Sequence, residues 1–259
     1  EAGPVRAEIT DVYGADGGIL NTVAKTVVVA SIVVHRGSLW VFSVDRARVL
    51  QARSALEEEG QFAEPVALAQ VAATGDLWAT SDGTHLTLFV PTAEGVAVLA
   101  AREAAGLAEA APVLIPDTIG SQVSGFVHGE RTRALLWDGA DKPVRISEPG
   151  EDEPWLTPSP FADLHSSIAP AAVADPATGE LVVGFGTETK APEGDHRDWR
   201  VARYATDAAG AWAKQSERIV GGAAGGGYGN ARPVLLIEEG PADPAPGRLH
   251  FIARGWTAH

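Results

Sequence analysis

Residues 26–45 read TVVVASIVVHRGSLWVFSVD. The two halves of this stretch are apolar runs rich in β-branched and aromatic residues, and Arg36-Gly37 separates them. Runs of this composition are typical of β-strands, and a short connection containing glycine is typical of a hairpin turn. The stretch therefore predicts a β-hairpin.

The same pattern recurs four more times along the chain. Each copy has a first run, a turn and a second run with partial period-two alternation, which is a mark of strands. The five pairs are 26–35 with 38–45, 75–80 with 85–90, 122–128 with 133–138, 168–175 with 180–187, and 231–238 with 248–254. The first four starts lie 49, 47 and 46 residues apart, which indicates internal repeats.

Two further short runs follow most of the pairs. The third runs are 49–53, 98–102, 143–147 and 200–204, and the weaker fourth runs are 65–70, 112–115, 155–157 and 217–220. Four short strands per repeat of about 47 residues are typical of a β-propeller blade, because one blade can bury its faces only against other blades. We predict an all-β chain that forms a single β-propeller domain of about five blades.

The repeat units are expected near 22–70, 71–116, 117–160, 161–222 and 223–259, with inserts at 190–198 and 221–229. The last unit has two runs, and residues 4–9 resemble a fourth run, so we expect this N-terminal strand to complete the last blade. Residues 51–59 and 100–111 are rich in helix formers and are either loops with a turn of helix or true helices.

The repeat resembles the blades of sialidase-like and tachylectin-like β-propellers. The resemblance is carried by a glycine turn before an alternating strand, in GSLWVF at 37–42, GELVVGF at 179–185 and GRLHFIARG at 247–255. It implies a propeller of five or more blades, often extracellular and often carbohydrate-binding. The sialidase box Ser-x-Asp-x-Gly-x-Thr-Trp has only a partial echo at 81–84, so no sialidase activity is implied.

Composition argues against several classes of protein. The chain has 259 residues, 45% of them apolar, and carries a net charge of −14. Nucleic acids and anionic membrane surfaces repel such a charge, and no apolar run reaches the roughly 18 residues of a membrane-spanning helix. The absence of cysteine excludes disulfides and thiolate metal sites.

Residues 1–19 lack a signal-peptide pattern, and methionine is absent. We expect either a processed, exported protein of extracellular, periplasmic or cell-surface location, or a fragment with an arbitrary start. The histidines lack zinc-binding spacings, and no cofactor is expected; the equivalent positions of His35 and His128 are attributed to the repeat. Glu193, Asp195 and Asp198 form either a calcium site or a solvated acidic loop.

Polar residues precede the inner strands, which are the first strands of the predicted blades. Inner strands of a propeller converge on its axis, and a rigid scaffold holds the loops before them, so we expect a ligand there. The candidate ligand-binding residues are Gln122, Asp163, His165, Tyr228, Asn230 and Arg232. The candidate catalytic residues, if the protein is an enzyme, are Asp76, Asp117, Asp163 and His165. Lys25, Ser121, Ser166 and Ser167 occupy similar positions.

Two groups of these residues suggest a chemistry. Asp163 and His165 form either a proton-transfer pair, because histidine titrates near neutrality, or part of a turn capped by side-chain hydrogen bonds together with the serines that follow. The segment 228–232 offers an aromatic ring, an amide and a guanidinium after a run of glycines. It forms either a binding loop for a sugar or a carboxylate, or a surface loop.

No catalytic signature is present in the sequence. We therefore predict a non-catalytic recognition module that binds a glycan or a protein partner through the propeller mouth. One alternative is a propeller-type glycoside hydrolase or lyase that uses convergent carboxylates. A second is a structural subunit of a surface assembly. A carboxyl group with a raised pKa in a pocket would favour the enzyme.

Overall fold

The computed structural model describes residues 30–44, 49–55, 62–68, 71–149, 155, 159, 161–189, 196–207, 212–224, 233–238 and 248–252. Within these residues the regular structure is β-strand, apart from one short 3-10 helix at Ala104–Ala108. The predicted N-terminal strand 4–9 lies outside the described residues.

The strands form five antiparallel sheets in chain order. The first sheet contains β1 (Ala30–His35), β2 (Ser38–Val44), β3 (Leu50–Ser54) and β4 (Val66–Ala67). The second sheet contains β5 (Trp78–Ser81), β6 (Leu86–Thr92), β7 (Gly95–Ala101) and β8 (Val113–Ile115). The third sheet contains β9 (Gln122–His128), β10 (Arg131–Trp137) and β11 (Arg145–Ser147). The fourth sheet contains β12 (Ala171–Ala174), β13 (Leu181–Thr189), β14 (His196–Thr206) and β15 (Trp212–Ala224). The fifth contains β16 (Val234–Glu238) and β17 (Arg248–Ile252).

Successive sheets meet along their first strands. β1 contacts β5, β5 contacts β9, β9 contacts β12, and β12 contacts β16. The later strands of each sheet lie progressively farther from this line, because each pairs with the strand before it in the chain. The chain thus has an all-β, propeller-like arrangement, in which antiparallel sheets, three of them four-stranded, pack face to face along their inner strands.

Three apolar cores lie between consecutive sheets. Phe42 of the first sheet and Leu88 of the second belong to one core. Phe89, the next residue on the same strand, belongs to the core shared with Leu136 of the third sheet. Because neighbouring residues of a strand point to opposite faces, a sheet covered on both sides buries successive residues, and β6 does so with LTLFV, in which Thr87 is the one polar residue.

A glycine permits one close approach between the second and third sheets. A side chain at Gly125 on β9 would overlap the ring of Phe89 and press against Trp78. The first hairpin also depends on glycine: Arg36 and Gly37 both have positive φ, at 50° and 78°. Two such residues form the turn whose twist matches a hairpin, as residues 26–45 predict.

Four strand-like runs in each of the first four repeats are confirmed as strands or as a bridge within the described residues. The segment 100–111 contains the 3-10 helix Ala104–Ala108 within a loop, so it is no full α-helix. The boundaries of the two inserts were wrong. Residues 196–198 belong to β14 and residues 221–224 to β15, because their backbones pair with each other.

Candidate functional site

The turn before β9 is held by its own hydrogen bonds. Thr118 Oγ1 accepts from the backbone N–H of Val96 and donates to the carbonyl of Ile115, both at 2.7 Å. The Ser121 N–H donates to the Thr118 carbonyl at 3.1 Å, and Asp117 has a left-handed φ of 55°. The turn therefore fixes the polar residues that precede the inner strand of the third sheet.

The antiparallel register brings later residues to the same end of the third sheet. Trp137 at the end of β10 lies opposite Gln122 at the start of β9. Arg145 at the start of β11 lies opposite Leu136. Asp138, which follows β10, is thereby placed between the turn before β9 and the first residue of β11.

The Arg145 guanidinium is the centre of this group. Its Nε donates to Asp138 Oδ2 at 2.8 Å, and its Nη2 donates to Asp138 Oδ1 at 3.1 Å. Nη2 also donates to the Asp117 carbonyl at 2.8 Å. Ser121 Oγ donates to the same Asp138 carboxylate. The carboxylate and the guanidinium are therefore a bidentate pair with additional support on both sides.

A tryptophan supports the guanidinium from its face. The central carbon of Arg145 lies 4.3 Å from the centroid of the Trp155 ring. Trp155 in turn packs against the core between the second and third sheets and forms a bridge with Ser147. We call the group Asp117, Ser121, Asp138, Arg145 and Trp155 the Arg145 site.

The Arg145 site presents polar groups to solvent in a fixed geometry. The Arg145 side chain is 28% exposed and that of Asp138 is 15% exposed. In the part of the chain that the structure describes, Arg145 Nη1 donates to no acceptor and is not buried. A cation–π contact and a bidentate pair restrict the long arginine side chain, so a ligand would meet an ordered donor.

Two of the five residues of the Arg145 site were predicted from the sequence. Asp117 and Ser121 belong to it, the former through its carbonyl, and Gln122 begins the adjoining strand at half burial. Asp138 and Arg145 were missed, because they lie at the connection between the second and third strands. Asp76 is an exposed residue of the segment before β5 in the second sheet.

Asp163 makes its described contact with the outermost strand of the fourth sheet. Its carboxylate accepts from Lys214 Nζ on β15 at 3.1 Å, and the Asp163 side chain is 66% exposed. Lys214 also donates to Glu217, and its pKa is raised chiefly by the bond to Asp163. This pairing connects the segment before β12 to the rim of the sheet.

The residues after Asp163 make mainly backbone bonds. His165 is exposed and forms a β-bridge with Pro143. Ser166 Oγ donates to the Ile168 carbonyl at 2.5 Å and accepts from the Gly186 N–H at 3.3 Å. Ser166 thus bonds side chain to backbone, as turn capping requires. Tyr228, Asn230, Arg232 and Lys25 lie outside the described residues.

A second polar group occupies the other end of the third sheet, at the β9–β10 hairpin. Glu148 accepts from Arg131 Nη1 and from Arg133 Nε, both at 2.6 Å. Arg133 lies 5.7 Å from the ring centroid of Trp212 on β15, and the ring of His128 lies 4.5 Å from the same tryptophan. We call these five residues the Glu148 cluster.

The Glu148 cluster links the third sheet to the fourth. His128 Nε2 donates to the Gly179 carbonyl at 2.8 Å, and His128 Nδ1 accepts from Arg133 at 2.9 Å, which requires the neutral imidazole. Burial alone raises the pKa of Glu148, but bonds from Arg133 and Arg131 outweigh it and lower the pKa below the ordinary value of 4.5. The carboxylate is therefore a charged part of the fold.

His35 occupies the equivalent position in the first sheet and also bonds to the next sheet. Its Nδ1 lies 2.8 Å from Ser81 Oγ, and its Nε2 donates to the Arg102 carbonyl at 2.9 Å. The shared position of His35 and His128 thus reflects contacts between sheets.

Among the described residues no group of three or more His, Cys, Asp or Glu side chains is placed to hold a metal ion. Asp198 of the suggested calcium loop lies on β14 and accepts from Arg200 at 3.5 Å, whereas Glu193 and Asp195 lie outside the described residues. None of the helices described is sufficiently long and apolar to cross a membrane.

No protein-family model matches the chain, and no curated protein sequence matches it. Solved structures do match. NanB sialidase from Streptococcus pneumoniae is 7% identical over 66% of this chain and 28% of its own, with a TM-score of 0.47. An exo-β-1,3-galactanase from Phanerochaete chrysosporium is 12% identical over 80% of this chain and 52% of its own, with a TM-score of 0.45.

A third structure, a PL25 ulvan lyase, is 11% identical over 87% of this chain and 64% of its own, with a TM-score of 0.44. The chain thus matches about a quarter to two thirds of the length of these three proteins. The strand order and the contacts between the first strands of successive sheets define the propeller-like arrangement.

Proposed function

We propose that this chain is a recognition module, without catalytic activity of its own, that binds a glycan at the end of the sheets where the inner strands begin. The observation that carries the proposal is the ordered guanidinium of Arg145, whose Nη1 donates to no acceptor among the described residues and is not buried. A sugar presents many hydroxyl oxygens, and donors fixed in advance bind them without a further loss of side-chain entropy.

The carboxyl groups whose pKa is clearly displaced are held in the charged form by hydrogen bonds from basic side chains or from the backbone. A glycosidase needs one carboxyl group whose pKa is raised so that it can donate a proton. Every described carboxyl group with a clear pKa displacement is displaced downward: Asp82, Glu148 and Glu217. The alternative of a hydrolase or lyase acting through Asp76, Asp117, Asp163 and His165 would need a proton donor among those residues.

We further propose that the sheets close into a ring of five blades, completed by the N-terminal strand 4–9. Exposed apolar residues support this closure. Val33 on β1 packs toward the second sheet, whereas Ile32 and Val34 point the other way and are exposed. In a closed ring the last blade covers that face, and burying apolar surface stabilises the closure.

Disulfide trapping tests the closure, because the chain has no cysteine of its own. Single cysteines at Ala7 and at Glu8 are combined in turn with a cysteine at His250. A disulfide forms only where the Cα atoms lie within about 7 Å, so one pairing should cross-link under mild oxidation. The control pairs each N-terminal cysteine with one at Ser216 on β15. Equal cross-linking to both positions would contradict ordered closure.

We also propose that the chain is exported and binds its glycan outside the cytoplasm. A broad glycan array, probed with and without calcium, tests the binding. Arg145→Ala should remove binding that Arg218→Ala retains, since both variants lose one positive charge and Arg218 is exposed on β15. The double variant Asp163→Ala/His165→Ala tests the other predicted position.

The outcomes separate the candidate functions. Binding that is lost with Arg145→Ala and kept in the double variant supports the Arg145 site. Binding lost only in the double variant would move the site to Asp163 and His165 and justify hydrolysis assays on the bound sugars. A folded chain that binds no glycan would refute glycan recognition and favour a protein partner or an assembly role.

A further inference from the structure

The hydrogen bonds of Arg145 determine which chemical groups it can still bind. A guanidinium binds a carboxylate or a sulfate best along an edge, with two parallel N–H donors. The edge formed by Nε and Nη2 is already filled by Asp138, through bonds of 2.8 and 3.1 Å. The other edge contains Nη2 as well, and the second hydrogen of Nη2 is taken by the Asp117 carbonyl at 2.8 Å.

Among the residues that the structure describes, the two hydrogens of Nη1 are therefore the ones without an acceptor, and they are left for a ligand. The two hydrogens diverge, so each suits one separate acceptor atom, such as a hydroxyl or carbonyl oxygen. They do not suit the two oxygens of a carboxylate, which need one donor from each of two nitrogens.

The electrostatics of the site point to the same ligand class. Asp138 neutralises the charge of Arg145 at direct contact, and the Asp117 carboxyl belongs to the same turn. The whole chain carries a net charge of −14. An anionic sugar would have to approach against this charge without gaining a bidentate partner.

We propose, on the basis of the glycan recognition proposed above, that the Arg145 site selects uncharged sugars and discriminates against uronic acids and sulfated sugars. Asp138 is the residue that sets this specificity, because it occupies the edge of Arg145 that would otherwise bind an anion.

Matched oligosaccharides test the selection. Hexose oligomers of several linkages are compared with the corresponding uronate oligomers and with sulfated forms, by array and then by calorimetry at low and physiological salt. A neutral oligomer should bind at least about tenfold more tightly than its uronate counterpart, because the uronate carboxylate would lose hydration beside Asp138 without gaining a bidentate partner.

The variant Asp138→Ala should reverse the preference. Removing the carboxylate opens the Nε–Nη2 edge and restores the net charge of Arg145, so binding of uronate oligomers should rise about tenfold and become salt-dependent. Glu130→Ala is the matched control, since it removes one negative charge from an exposed turn at the opposite end of the third sheet. Asp138→Asn is the second variant if Asp138→Ala does not fold, as judged by circular dichroism.

The possible results separate this inference from the proposed function. Preference of the native chain for uronate or sulfated oligomers would overturn the inference and leave glycan recognition intact. An equal gain of uronate binding in Asp138→Ala and Glu130→Ala would also overturn it, because the effect would then be one of overall charge. A folded native chain that binds neither class refutes glycan recognition, and the inference falls with it.

Discussion

The third sheet carries an arginine over a tryptophan at each of its ends, and the two arrangements differ in what they join. At the start of β9, Arg145 lies 4.3 Å from Trp155 and its carboxylate partner is Asp138. At the hairpin end, Arg133 lies 5.7 Å from Trp212 and its partner is Glu148.

Burial separates the two arrangements. The Glu148 side chain is 9% exposed and that of Arg133 is 12% exposed, against 15% for Asp138 and 28% for Arg145. The Glu148 cluster also includes a residue of the fourth sheet, Trp212, which contacts His128 of the third sheet. The same residue types therefore stabilise an interface between sheets at one end and leave an ordered donor at the surface at the other.

The largest expected effect is on stability, from Glu148→Ala. The substitution leaves two guanidinium groups beside a buried position without their common partner, and breaking a buried ion pair costs about 3–5 kcal/mol. Urea unfolding followed by circular dichroism measures the loss. Glu130→Ala, at the exposed turn of the same hairpin, should change stability by less than about 0.5 kcal/mol. Equal losses in the two variants would show that the Glu148 cluster is not a buried network.

Acid stability gives the next contrast. Because the pKa of Glu148 is lowered in the folded chain, its contribution to stability is complete above the unfolded value near 4.5 and is lost as the pH falls through the lower folded value. Glu148→Gln should therefore flatten the fall in unfolding free energy below pH 4.5. The pKa of Glu217 is also lowered, so Glu217→Gln should flatten the fall as well. The effect should be smaller than for Glu148→Gln, because the Glu217 side chain is 26% exposed and solvent screens its ion pairs. If the unfolding free energy of Glu148→Gln fell below pH 4.5 as steeply as that of the native chain, the lowered pKa of Glu148 would not be a source of acid sensitivity.

The sequence predicted the sheets better than the site, because buried strands leave recognisable apolar runs in the sequence. A strand covered on both faces is mostly apolar along its length, so runs such as LTLFV in β6, with one threonine among apolar residues, stand out from the surrounding residues. The strands of the first four repeats were accordingly visible. The sequence erred where glycine and alanine suggested an insert: residues 221–224 pair through their backbones, which need no particular side chain.

The site required information that no single segment carries. Ser121 was found because it precedes an inner strand, but Asp138 and Arg145 reach it only through the register of β9, β10 and β11. A usable signal does exist in the sequence. In antiparallel strands, the connection from the second to the third strand returns to the end where the first begins, so polar residues there belong among the candidates. Of the Glu148 cluster, the sequence marked only His128, through its position equivalent to that of His35. The contact with Trp212 gave no local signal, since Glu148 and Trp212 belong to different repeats.

Asp138→Ala should have a smaller effect on stability than Glu148→Ala. The Arg145 pair is partly solvated, so its loss should cost about 1–2 kcal/mol, the range of a charge-assisted hydrogen bond that water partly replaces. Urea unfolding of both variants under the same conditions tests the ranking. A loss in Asp138→Ala that matches the loss in Glu148→Ala would mean that the Arg145 site also acts mainly as a structural link.

The smallest expected change in stability comes from Arg145→Lys, and it separates the two ends most sharply. A lysine keeps the charge at a site that is partly open to water, so unfolding free energy should fall by only about 0.5 kcal/mol. Glycan binding should nevertheless be lost, because an ammonium has neither the planar fork that Asp138 holds nor the face that lies on Trp155. Arg133→Lys is the matched substitution at the other end, where greater burial predicts a stability loss of about 1–2 kcal/mol and unchanged glycan binding. If both lysine variants lost stability equally and neither lost binding, the contrast between a recognition site and a structural cluster on this sheet would fail.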